Sequence, residues 1–219
     1  MHWLSRFLFV FFICSAEGAF VVNNAGRQIN GTKISASEDG SVSLTTVSGQ
    51  TMTFRKGQYR SATADRPKEL ARAVQLLKQG QGGQAVPLLK LVKQECRYLA
   101  WDQTAIQLLA DYYYASEQFA EAVKEFQTLD DQTDMVMQRK LRKAMLQSGE
   151  TASLLLILND DIATGSREAA AQAYLMRGVL KTDAGDPEGA RRDWLKVATF
   201  FKAQKTLAEQ AENKLGEME

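Results

Sequence analysis

Two stretches of this chain place a small residue, an alanine and a bulky aromatic at the same intervals. In "AIQLLADYYYASEQFAEAVKEFQTL", Ala110 is followed twelve residues later by Ala122, and four further on by Phe126. In "AYLMRGVLKTDAGDPEGARRDWLKVATF", Gly178, Ala190 and Trp194 keep the same spacing. Apolar residues in both recur at three and four, the period of an amphipathic helix. Two helices joined by a short turn can cross closely only where small residues meet, and an aromatic then fills the space beyond the crossing. A chain written this way is committed to helical hairpins over these residues.

Weaker copies flank and separate the two. "RAVQLLKQGQGGQAVPLLKLV" carries Ala73, Gly80, Ala85, Leu89 and Val92, and "QRKLRKAMLQSGETASLLLIL" carries Leu141, Gly149 and Leu154. The second-helix anchors fall at 85, 122, about 154 and 190, so the repeat length is 32 to 37 residues. From about Arg66 to Phe200 the pattern resembles the tetratricopeptide repeat, a helical hairpin of about 34 residues. The family's turn favours glycine, which Gly185 supplies; Glu117 stands there in the second unit. The resemblance implies a mainly α protein: an α-solenoid of about four such hairpins over residues 66–219, closed by a capping helix with Ala203, Leu207, Ala211 and Leu215 on its apolar side. It also implies a groove that holds a protein or peptide partner. By family position Thr104, Gln107, Asp111 and Tyr114 line that groove in the second unit, and Gln172, Leu175 and Val179 in the fourth. Tyr113 takes the family's packing position. Three successive helical tyrosines point about 100° apart and cannot share one face. The family's clamp of basic and asparagine residues for a C-terminal carboxylate is not apparent.

Residues 20–62 follow a different period. "SVSLTT" puts Val42 and Leu44 on one side, and "QTMTF" puts Met52 and Phe54 on one side. Alternation over short runs bounded by turn residues is the strand signal. Turns at "EDG" and "SGQ" have hairpin length. An earlier strand runs through "QINGTKISAS", where Gly31 marks a bulge or a turn. Three or four short strands make a small antiparallel β-module. It is similar to the SH3-like barrels of secreted bacterial proteins, including the SLA1 homology module. "ATADRPKEL" switches the chain to helix, with Pro67 suited to a first turn and Asp65 or Thr63 as its cap.

The first sixteen residues read separately. Arg6, the apolar run Leu8–Ile13 and the small residues Cys14–Ala16 have the layout of a secretory signal peptide, cleaved after Ala16. The run is shorter than the roughly 20 residues that span a bilayer. The expected location is therefore secreted or periplasmic, with membrane contact only through this transient segment. Cleavage removes His2, the only histidine, and Cys14, leaving Cys96 as the one thiol, expected as a buried small hydrophobe. It also removes Arg6, so 26 basic residues face 26 acidic ones, a sum with no net pull toward nucleic acid.

Without a histidine, Ser-His-Asp and Cys-His catalysis and histidine-bearing zinc sites are excluded. "QGQGG" lacks the lysine and serine or threonine that end a phosphate loop and reads as a hairpin turn. The pairs Asp130–Asp131 and Asp160–Asp161 read as solvated or capping carboxylates. No catalytic residue, metal or cofactor is expected. Together with the signal-like start, the tetratricopeptide resemblance implies an exported, non-catalytic protein-interaction scaffold of the bacterial envelope. The alternative is a wall- or polysaccharide-binding accessory protein in which the β-module binds and the helices act as a spacer.

Overall fold

A computed structural model describes residues 18–218; the signal-like segment 1–16 lies outside them. The described chain is mainly helical, with nine helices and a small N-terminal antiparallel β region of two three-stranded sheets. It divides into two compact units, one ending at Leu109 and one beginning at Ala110.

The first unit begins with six strands: β1 Ala19–Asn23, β2 Gln28–Gly31, β3 Lys33–Ala36, β4 Val42–Thr45, β5 Thr51–Phe54 and β6 Tyr59–Thr63. One sheet has the order β2-β1-β6 and the other β3-β4-β5, antiparallel throughout. Alternation sends Val21, Val42 and Leu44 into a fully buried core, while Ser43 and Thr53 face outward and share a hydroxyl contact. The expected single strand through Gly31 is two strands, broken at Thr32. A side chain at Gly31 would run into the Thr45 carbonyl and the Leu44 side chain, so only glycine lets the chain turn this corner. β1 and β6 raise the expected three or four strands to six. Tyr59 and Ala62 are the apolar residues of β6 and do not alternate, which hides it from a pattern reading.

Helices α1 Lys68–Lys78 and α2 Gly82–Glu95 follow and pack on each other through Leu70, Ala73, Ala85, Leu89 and Val92. Pro67 itself is the N-cap of α1, and neither Asp65 nor Thr63 makes the expected capping bond. Pro87 lies inside α2, as its sixth residue, and leaves the Gly83 carbonyl without its helical N–H donor. Cys96 is buried after α2, as expected, and burial raises its thiol pKa. Helix α3, Trp101–Ala115, crosses the division between the units.

In the second unit α4 Phe119–Gln127, α5 Met135–Ser148, α6 Thr151–Thr164, α7 Arg167–Asp183, α8 Pro187–Phe200 and α9 Lys205–Gly216 each pack on the next, and α7 also meets α9. Four turns along the chain share one geometry. Gly80, Glu117, Gly149 and Gly185 all hold positive φ, of 73°, 58°, 79° and 78°. In each case the following N–H reaches back five residues: Gln81 to Leu76, Gln118 to Tyr113, Glu150 to Met145 and Asp186 to Lys181, at 2.8–3.0 Å. This is the Schellman closure of a helix, which satisfies end carbonyls and reverses the chain. Short reversals of this kind between packed helices make α1–α2, α5–α6 and α7–α8 antiparallel pairs. Polar side chains add starts: Asp134 caps α5, Ser166 caps α7 and Asp186 caps α8.

Candidate binding groove

The crossing of α7 and α8 is built from the spaced residues read in the sequence. Ala190 is fully buried and Trp194 nearly so. A methyl group on Gly178 would fall inside the indole of Trp194, so this glycine is what lets the ring lie flat on α7. The indole Nε1 donates to the Leu175 carbonyl at 3.0 Å, which fixes the ring's orientation. One turn away, Asp193 is 1% exposed. Its carboxylate receives Arg177 Nε at 2.8 Å and Nη2 at 2.8 Å, a two-pronged pair, and Lys181 Nζ lies at 2.8 Å. Burial alone would raise its pKa; the hydrogen bonds from Arg177 and Lys181 outweigh it and hold the carboxyl below the ordinary range. Sequence reading did not single out Asp193. Its neighbours "RRDWLK" look like a charged surface; Arg191, Arg192 and Lys196 are exposed, while Asp193 is buried.

Beside this crossing lies a cavity of about 710 Å³. Glu168, Gln172, Leu175, Met176 and Val179 supply one wall, all on one face of α7 at three- and four-residue intervals. Thr206, Leu207, Gln210, Asn213, Lys214 and Glu217 supply the facing wall from α9. Leu146 and Arg139 of α5 and the edge of Trp194 complete it. The apolar groups form a continuous floor of leucine, methionine and valine. Carboxamides of Gln172, Gln210 and Asn213 stand among them, and Lys214 and Glu217 pair with each other at 2.7 Å. Such a lining fits apolar side chains and backbone amides better than a highly charged ligand.

The sequence-derived groove residues fall into two groups. Gln172, Leu175 and Val179 all line this cavity, each half-buried. Thr104, Gln107, Asp111 and Tyr114 do not. Thr104 is exposed and Gln107 half-buried on α3. Asp111 is bound to Lys140 of α5 at 2.6 Å. The Tyr114 ring is half-buried, edge-on to Phe119 at 5.9 Å and Phe126 at 6.4 Å between centroids, with Lys143 6.0 Å from its centre. Tyr113 is 6% exposed and takes the packing role expected of it. Sequence reading did not single out the α9 wall as a site: it gives α9 only a capping role, with Leu207 on the packed side and the polar residues facing solvent.

A second cavity, about 520 Å³, lies between α5, α6, α7 and the 127–134 connection, with Gln127, Gln132, Gln138 and Gln172 in its lining. Arg142 and Asp161 meet there, with Nη2 2.9 Å from Oδ2, so Asp161 is a half-buried ion-pair member and not the solvated carboxylate expected. Burial raises the Asp161 pKa, an effect the Arg142 guanidinium only partly offsets and Asp160 reinforces. Arg142 Nε is buried without a hydrogen-bond partner. Among the described residues, no three or more His, Cys, Asp or Glu side chains gather where a metal ion could bind, and no helix is long and apolar enough to cross a membrane. Compared with protein-family models, with curated proteins and with solved structures, the chain matches none.

Proposed function

We propose that this chain is a non-catalytic scaffold, exported to the bacterial envelope or beyond it, whose hairpins stack as a tetratricopeptide-like solenoid and hold a segment of a protein partner. The reading is carried by one observation: Gln172, Leu175 and Val179, chosen by repeat position, line one apolar-floored cavity together with α9. A floor of Leu146, Leu175, Met176 and Leu207 takes up apolar side chains of the segment. The carboxamides of Gln172, Gln210 and Asn213 take up its backbone N–H and C=O groups, which would otherwise lose hydrogen bonds on burial. The four left-handed turns, at intervals compatible with the repeat, support the stacking.

The test is a comparison of captured partners. The tagged processed chain and its Leu175→Lys/Val179→Lys variant, both shown to be folded, are used to recover proteins from envelope extract. Both residues are half-buried and pack on the edge of the Trp194 core, so the change places charge on the groove wall and the folding check precedes the capture. The expected outcome is a partner retained by the parent and lost by at least about tenfold with the variant, the scale of a disrupted apolar anchor. Identical capture by both proteins would remove the groove from the account.

A further inference from the structure

The balanced charge of the chain conceals a segregation. From Gly18 to Leu109 there are twelve lysines and arginines against six aspartates and glutamates; from Ala110 to the end there are fourteen against nineteen. Within the first unit, five of the cations gather at one end. The β1–β2 turn and the β5–β6 turn are tied there by Asn24 Nδ2 donating to the Gly57 carbonyl at 2.6 Å. Arg27 stands on the first turn and Arg55 and Lys56 on the second. A Cβ on Gly26 would stand 3.7 Å from the Arg60 guanidinium. The Lys56 stem lies against Gly40, and its ammonium is 5.6 Å from the centre of the Tyr98 ring. Arg97 stacks on the same ring at 5.0 Å. Tyr98 is held in place: its N–H donates to Asp102 and its hydroxyl to the Glu38 carbonyl, with φ at 67°. All five cations are exposed. The acidic groups near them are Glu38, Asp39 and Asp102; Asp39 is engaged by the Ser41 N–H and hydroxyl, and the buried Asp102 by the Tyr98 and Gln103 N–H groups. The end keeps a surplus of positive charge.

We infer that this end of the first unit docks on the anionic headgroups of a phospholipid surface. The charge is complementary, and its presentation selects a flat partner. Four of the cations stand on three connections, between β1 and β2, β5 and β6, and α2 and α3, and Arg60 stands at the start of β6 beside the first of them. A single nucleic-acid strand calls for a basic groove with open rings for base stacking. Here the Tyr98 ring carries two cations and the Tyr59 hydroxyl is spent on the Gly40 carbonyl. Dissolved ions screen the attraction beyond about a Debye length, so it orients the molecule at a surface and weakens steeply with salt.

Vesicle sedimentation tests this with the chain beginning at Glu17, the expected processed form. Vesicles of zwitterionic lipid with about one-third anionic phospholipid are compared with purely zwitterionic ones. Binding to the anionic vesicles alone is expected at low salt and is lost at high salt. Lys56→Glu/Arg60→Glu should weaken it by about thirtyfold or more, since each basic side chain at such a surface contributes roughly fivefold. The control Lys78→Glu/Lys90→Glu, on α1 and α2, should retain most of it, with circular dichroism showing that both variants fold. Absence of binding by the parent overturns the inference. So does equal loss with both variants, and so does binding to a single-stranded oligonucleotide without binding to vesicles.

Discussion

Glu117 stands in a place that suits glycine better. Three of the four helix-ending turns use glycine at the left-handed position, and Glu117 takes the same geometry with φ of 58°. An L residue with a Cβ pays roughly 1–2 kcal/mol there, of which glycine's freer unfolded state would cancel a part. Glu117→Gly is therefore expected to stabilise the second unit by about 0.5–1 kcal/mol. Denaturant melts of parent and variant check it; a loss of stability would mean that the Glu117 side chain contributes more than its backbone costs. The neighbouring tyrosines show how finely position matters. Tyr113 is buried, whereas Tyr114, one residue on and expected to face a groove, lies edge-on to Phe119 and Phe126.

At the scale of elements, the pairing of α7 with α8 rests on a crossing and a clamp. Asp193→Asn removes the charge that holds Arg177 and Lys181, and a cost of about 2–3 kcal/mol is expected, somewhat below a fully buried pair because both cations reach water. The folded-state pKa of Asp193 is depressed, so its contribution is complete above the unfolded carboxyl value near 4 and is lost as pH falls through the lower folded value. The gap between parent and variant in thermal melts should then be constant from about pH 7 to 5 and close below about pH 4. A gap that persists at pH 2 would assign the cost to shape and not to charge. Helices were legible from the sequence because Ala122, Ala190, Phe126 and Trp194 repeat at fixed intervals, and hydrophobic period needs no tertiary information. β4 and β5 were legible by alternation. β6 was not, because "YRSAT" gains its burial from β1, a partner some forty residues away in sequence. The α7 wall of the cavity could be found by repeat position, but the α9 wall could not, since polar residues on a terminal helix look alike whether they meet solvent or a groove. Asp193 stayed hidden for the same reason: Arg177 and Lys181, sixteen and twelve residues before it on the other helix, make a buried carboxylate out of what reads as surface.

For the molecule as a whole, the apolar run at residues 8–13 and the small residues that follow set an expectation of export. N-terminal sequencing of protein recovered outside the cytoplasm should read from Glu17; a chain still beginning at Met1 would rule cleavage out. That processing would leave the molecule with one sulfhydryl, Cys96, which is buried in the first unit with its ionisation suppressed by burial. A disulfide reagent in solution can meet it only in the fraction of molecules that have transiently come apart at that place. The rate of colour release therefore clocks the breathing of the first unit by itself, with no engineered probe, and leaves the second unit dark to the measurement.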